Sequence, residues 1–167
     1  MNKSNVVVLT LAFILFSYHT NAQTILTEGS PEIVNNIEFG YVITNIQSKE
    51  DYERYEIKFY ATNNGCSKFI PLKQSISFSD KPQNILGEFN CLNATGKRFT
   101  NKGRTLTLPD WNYTIQNDID GKGVIGKQIR LGYLLRKGQN ISVTEIILTP
   151  KGEKPQVKLF APNLAEL

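Results

Sequence analysis

The sequence is poor in the residues that do most enzyme chemistry. It has one histidine, one methionine, one tryptophan and two cysteines in 167 residues. The histidine is His19 and the methionine is Met1, and both lie in a stretch that reads as an export signal. Lys3 supplies its positive start, Val6 to Phe16 is apolar apart from Thr10, and a more polar Ser17 to Ala22 ends in Thr-Asn-Ala before Gln23. An apolar core of about eleven residues is too short to span a bilayer, so a cleaved signal peptide is expected, with cleavage after Ala22. The mature chain of about 145 residues then contains no imidazole. This excludes a Ser-His-Asp triad, a Cys-His pair, and zinc or copper sites built on histidine. No cysteine follows Ala22 directly, so a lipid-anchored start is not expected, and no later stretch is apolar enough to cross a membrane as a helix.

Strong charge of one sign is also lacking. Without Lys3, eighteen Lys and Arg face fifteen Asp and Glu, a net charge of about +3, ordinary for a soluble surface. Helical spacing is missing too, since apolar residues nowhere recur with a 3.6-residue period over more than two turns.

What is present is two-residue alternation. Tyr55, Ile57, Phe59 and Ala61 fall on one side of Tyr52 to Thr62, with Glu56, Lys58 and Thr62 opposite. This is the pattern of a half-buried strand, stopped at Asn63-Asn64-Gly65, residues that favour a turn. Ile37, Phe39, Tyr41 and Ile43 repeat the pattern, as do Phe89 with Cys91, Leu106 with Leu108, Trp111 with Tyr113, and Val157 with Leu159. Pro71 marks Lys68 to Leu72 as an edge strand, because its ring removes a ladder donor. A short strand is expected at Ser75 to Phe78, and a long loop at Gln116 to Gly126. Lys127 to Arg136 places Ile129, Leu131, Tyr133 and Leu135 on one side, and forms the clearest hairpin with Asn140 to Leu148. In that last strand Ile141 and Val143 are out of phase with Ile146 and Leu148, so a bulge is expected at Glu145. Eight to ten short strands indicate an all-β chain of two packed antiparallel sheets. The expected division is a signal peptide over 1–22, a flexible leader over 23–35, the sandwich over 36–161 and a tail over 162–167.

The two cysteines of an exported chain are expected to pair, Cys66 with Cys91. A loop of about 26 residues would be worth roughly 3.5 kcal/mol on chain-entropy arithmetic. Two buried thiols are the competing reading.

Several motifs resolve into plainer features. Gly121 to Lys127 has the spacing of a phosphate-binding loop, but Gln128 stands where the magnesium-binding hydroxyl belongs, and an alternating strand follows instead of a helix. Asp118 to Gly123 resembles a calcium loop, but Lys122 and Ile129 occupy ligand positions, so a turn is the simpler reading. The basic Lys97 to Arg104 stretch holds a single aromatic, Phe99, and suits a solvated hairpin better than nucleic acid. Asn93, Asn112 and Asn140 head N-glycosylation acceptor triplets. No spacing singles out a carboxylate pair for glycoside hydrolysis. Trp111 and Tyr113 could stack on a sugar ring, with Asp110, Asn112 and Asn117 offering hydrogen bonds; the favoured reading places the lone tryptophan in the core.

Three segments carry a resemblance: the Asn-Ala before Gln23, Phe59 to Cys66 (Phe-Tyr-Ala-Thr-Asn-Asn-Gly-Cys), and Leu131 to Gly138 (Leu-Gly-Tyr-Leu-Leu-Arg-Lys-Gly). Together they look like small exported β-sandwich proteins of Bacteroidota. The resemblance covers most of the mature chain and includes no catalytic motif. It implies an immunoglobulin-like sandwich in a periplasmic, cell-surface or extracellular location. The functional expectation is a non-enzymatic module that needs no cofactor or metal and contacts another envelope or secreted protein. The alternative is a carbohydrate-binding module using Trp111 and Tyr113.

Overall fold

A computed structural model describes residues 22–72, 83–118 and 124–161. They form eleven strands and no helix: β1 (Ala22–Leu26), β2 (Glu32–Val34), β3 (Ile37–Ser48), β4 (Tyr52–Asn63), β5 (Lys68–Pro71), β6 (Ile85–Leu92), β7 (Arg98–Thr107), β8 (Asp110–Asp118), β9 (Val124–Leu135), β10 (Asn140–Pro150) and β11 (Gln156–Ala161). The expected signal peptide, the strand at Ser75 to Phe78 and the tail lie outside the described residues.

The strands make three antiparallel sheets, ordered β1-β11-β6-β7, β10-β4-β3-β2 and β5-β9-β8. The inner faces of the two four-stranded sheets share one core. Tyr55, Ile57, Phe59 and Ala61 of β4 are all buried, as are Ile37, Phe39 and Tyr41 of β3. Leu86, Phe89 and Cys91 of β6, with Val157 and Leu159 of β11, meet them from the other sheet. Phe59 and Phe89 stack across the gap with ring centroids 5.0 Å apart, a pairing worth about 0.5–1.5 kcal/mol beyond burial. Ile70, Tyr133 and Leu135 join the same core from the third sheet.

The structure departs from the sequence reading at five places. Residues 23–35 hold β1 and β2 instead of a loose leader. β1 pairs with β11, so the first strand lies beside the last, whereas an immunoglobulin constant-type sheet places its first strand beside its second. The strand at Lys127 to Arg136 does not form a hairpin with Asn140 to Leu148, because β9 pairs with β5 and β8 while β10 pairs with β4. The bulge at Glu145 is absent: β10 runs in unbroken register along β4, burying Ile147 and Thr149 and turning Ile146 and Leu148 outward. Lastly, Cys66 and Cys91 are not bonded. Cys66 is exposed in the turn after β4, while Cys91 is fully buried near the end of β6 opposite Val157. An exposed turn and the core side of a central strand do not bring two thiols together.

The crossing between sheets is held by Asn63, the last residue of β4, which is fully buried. Its Nδ2 donates to the carbonyls of Cys66 at 2.9 Å, Arg136 at 3.1 Å and Leu135 at 3.4 Å. Its Oδ1 accepts from the Gly65 N–H at 3.1 Å. Its own backbone donates to Gln139 and accepts from Gly138 at 2.7 Å. Gly138 has φ of +74°, which lets the chain turn sharply from β9 into β10. One amide thus fastens the start of β5 and the β9–β10 turn to the end of β4.

At the opposite end, Glu28 closes the β1–β2 turn over β3. Its carboxylate accepts from the Ile43 N–H at 3.1 Å and from the Lys154 ammonium at 2.9 Å. The Lys154 hydrogen bond holds the Glu28 carboxyl below its usual 4.5, against an opposing pull from burial, and the same bond raises Lys154. Tyr55, buried and hydrogen-bonded to Glu53 at 2.6 Å, is pushed up to about 12.

Three substitutions test this packing. Asn63→Ala strands four backbone groups without partners and should cost about 3 kcal/mol in urea unfolding. Thr149→Val should by contrast be neutral or stabilising by up to about 1 kcal/mol, because the buried Thr149 hydroxyl has no partner to lose. For the Glu28 clasp, a lowered carboxyl pKa contributes stability that is full above the unfolded value and lost as pH falls through the folded one. Glu28→Gln should therefore cost up to about 1 kcal/mol near pH 6, with the gap to wild type closing below about pH 4.5 in acid titrations of stability.

Candidate functional site

The third sheet carries five of the twelve large exposed hydrophobic side chains among the described residues, including the tryptophan. β8 and β9 form a long hairpin, paired from Asp110↔Tyr133 at the base to Asp118↔Val124 near the tip. The expected long loop from Gln116 is thus mostly strand, and residues 119–123, which hold most of the calcium-like motif, lie outside the described residues. Val124 to Lys127 of the phosphate-loop motif is also strand.

The register shifts once, between Trp111 opposite Gly132 and Asn112 opposite Arg130. Leu131 is the extra residue, so β9 carries a bulge there. An extra residue reverses the facing of everything beyond it. Tyr133 and Leu135 therefore face the core, while Ile129 lies on the other side, opposite Tyr113. The single apolar stripe expected from Ile129 to Leu135 is split in two. Trp111, Tyr113 and Ile129 share the outer face, and Phe69 of β5 joins them with its ring 4.8 Å from that of Trp111, edge to face.

The outer face is exposed. Trp111 is 41% and Tyr113 59% exposed, with Phe69 at 43% and Ile129 at 36%. The expectation that the only tryptophan packs in the core is therefore corrected. The core positions at the base of the hairpin go to Tyr133 and Ile70, and the strand phase sends Trp111 outward.

The opposite face of the same hairpin is polar. Asp110 and Asn112 alternate away from Trp111. Arg130 lies 3.6 Å from the Asp110 carboxylate and 5.7 Å over the Tyr133 ring. The hairpin is thus amphipathic beyond the core. Asp110 and Asn112, expected to serve a sugar stacked on Trp111, are on the wrong side for it, and the side chain of Asn117 lies outside those described.

Gly132 permits the aromatic contact. A Cβ there would run into the Ile70 carbonyl oxygen and come within 2.8 Å of the Phe69 ring. Sequence reasoning singled out Trp111 and Tyr113 but missed Phe69 and Ile129. The signal for Phe69 was its place one residue from the core position Ile70 on an edge strand. Ile129 was hidden by the bulge.

The remaining candidates are ordinary surface. Lys97, Arg98 and Arg104 are exposed along β7, as a solvated hairpin requires, and Arg104 pairs with Glu145 of β10. Asn93 uses its side-chain oxygen to accept from Thr95 and Lys97 within its own turn. Among the described residues no three of His, Cys, Asp and Glu gather closely enough for a metal ion. No family model, curated protein or solved structure matches the chain.

Gly132→Ala should destabilise the protein by about 2 kcal/mol or more, since the clash is with backbone. Trp111→Ala should cost no more than about 1.5 kcal/mol, the range of its contact with Phe69. Paired urea melts of the two variants check both the glycine packing and the exposed position of the indole.

Proposed function

We propose that the chain is an exported, non-enzymatic β-sandwich module of the cell envelope or secretome that docks another protein on the outer face of its three-stranded sheet. The observation that carries this reading is the cluster of Phe69, Trp111, Tyr113 and Ile129, four large apolar side chains left in solvent on one face of one sheet. Aromatic side chains of this kind dominate protein interfaces, and a contiguous exposed apolar patch marks an interaction surface more often than chance.

β8 also supplies hydrogen bonds. It is the outermost strand of its sheet among the described strands, and it is nine residues long. An extended partner segment can add to this edge through main-chain bonds while its apolar side chains meet Trp111 and Tyr113. The absence of histidine after Ala22 supports the non-enzymatic part, and the apolar Val6 to Phe16 leader supports export. The immunoglobulin-like part rests on layering alone, two antiparallel sheets over one core with a strand order of its own.

Glycan stacking on Trp111 and Tyr113 is the second reading, supported by the exposure of both rings. It ranks lower because a sugar needs hydrogen bonds beside the ring, and Asp110 and Asn112 point the other way.

Co-purification from envelope extracts of the native host tests the proposal. Wild type should retain a partner that Tyr113→Lys/Ile129→Lys loses by tenfold or more, with an unchanged β-sheet circular-dichroism spectrum. A monomeric chain without a partner, or a partner indifferent to both substitutions, counts against it.

A further inference from the structure

The outer face of the β1-β11-β6-β7 sheet carries a different surface. A hollow of about 340 Å³ opens there, between the Asn93–Lys97 turn and β1. That volume is at the lower end of the range for small-ligand sites, roughly 300–1,000 Å³. Strand alternation builds it. Val157 and Leu159 of β11 and Phe89 and Cys91 of β6 point into the core, so Lys158, Phe160, Glu88 and Asn90 point outward. Lys158 lies opposite Asn90, and Phe160 lies between Glu88 and Gln23 in the ladder. Arg98 closes the side nearest the turn, opposite Leu92. Gly96, with φ of +80°, forms the turn wall without a side chain to fill the space.

Among the described residues, Gln23, Glu88, Asn90, Arg98 and Lys158 make no side-chain hydrogen bond or ion pair with one another or with any neighbour. Five groups with open hydrogen-bonding capacity therefore converge on one concavity, with the Phe160 ring and Leu92 as apolar surface. Three ion pairs lie elsewhere among the described residues: Arg104 with Glu145, Arg130 with Asp110, and Lys154 with Glu28.

We infer that this hollow binds an acidic saccharide, a sugar ring carrying a carboxylate. The amides and Glu88 suit hydroxyl groups, as acceptors and donors of hydrogen bonds. The Phe160 ring offers an apolar surface for the sugar's C–H face. The Arg98 fork suits a carboxylate, and Lys158 adds a second positive charge. Glu88 sets the selectivity: it leaves the hollow with a net charge of about +1, matched to one carboxylate and unfavourable to a dense phosphate. The site is separate from the aromatic face and stands whether or not that face docks a protein.

Titration calorimetry of the mature chain with galacturonic acid di- and trisaccharides, and with neutral cellobiose and cellotriose, tests it. Wild type should bind the acidic oligomers at least tenfold more tightly than the neutral ones. Arg98→Ala and Lys158→Ala should each weaken the acidic ligand tenfold or more, and Trp111→Ala should leave it unchanged. All three positions are on the surface, so a β-sheet circular-dichroism spectrum and an unshifted melting temperature are expected to accompany these results. No heat of binding for the acidic oligomers at 10 mM, equal affinity for neutral ones, or binding indifferent to Arg98 and Lys158 would overturn the inference.

Discussion

A single buried amide sets the geometry of the whole molecule. Asn63 ends β4, and its side chain reaches the carbonyls of Cys66, Leu135 and Arg136. Those carbonyls belong to the segment entering β5 and to the end of β9. The third sheet is therefore fastened to the end of β4, and β9 and β10 are directed into different sheets instead of pairing with each other. Within a core an amide without partners is costly, and one with all its partners is directional. An apolar residue at position 63 would fill the space but would not orient three chain segments. The aromatic face depends on this fastening, because it exists only where β5 and β9 leave the main sandwich.

The second determinant is the bulge at Leu131. Without it, Ile129 would follow Tyr133 and Leu135 toward the core side. With it, Trp111, Tyr113 and Ile129 share the face that the core does not cover. The base of the hairpin buries Ile70, Tyr133 and Leu135, which hold the arm in place. The same two strands thus anchor the arm in one half and leave apolar side chains exposed in the other.

Much of the fold was legible because burial imposes a two-residue period. Tyr55 to Ala61, Ile37 to Tyr41, Phe89 with Cys91, and Val157 with Leu159 were each read on the correct side, and Pro71 marked an edge. The failures share a cause, which is that pairing is not written in alternation. Ile146 and Leu148 looked like a phase slip in a buried strand. They are exposed residues of a strand whose buried members are Ile147 and the polar Thr149. The Ile129 to Leu135 stripe looked continuous because a bulge inserts a residue without altering composition. Lys137-Gly138-Gln139 looked like a hairpin turn, but a tight turn can also carry the chain between sheets, and the distant Asn63 decides which. At the candidate site, Trp111 and Tyr113 were visible as residue types. Their exposure was not, since it follows from which strand face the core occupies. The hollow was invisible altogether: Gln23, Glu88, Arg98 and Lys158 are distant in sequence and meet only through the β1-β11-β6-β7 order.

The two surfaces differ in what holds their side chains ready. On the aromatic face, Phe69 and Trp111 already support each other edge to face, and Gly132 beneath them removes the one Cβ that would hold the rings apart. A partner meeting preordered rings loses less side-chain freedom on binding, so more of the apolar contact appears as affinity. In the hollow, the long side chains of Arg98 and Lys158 have no such support, and fixing them costs conformational entropy of about 1.5–2 kcal/mol each. On the two proposals, the aromatic face would make the tighter contact and the hollow would hold a weaker, faster-exchanging ligand. A protein interface on one sheet and a saccharide contact on another would let a small module bridge a partner to an acidic matrix. Neither function would require a histidine, and none occurs after His19.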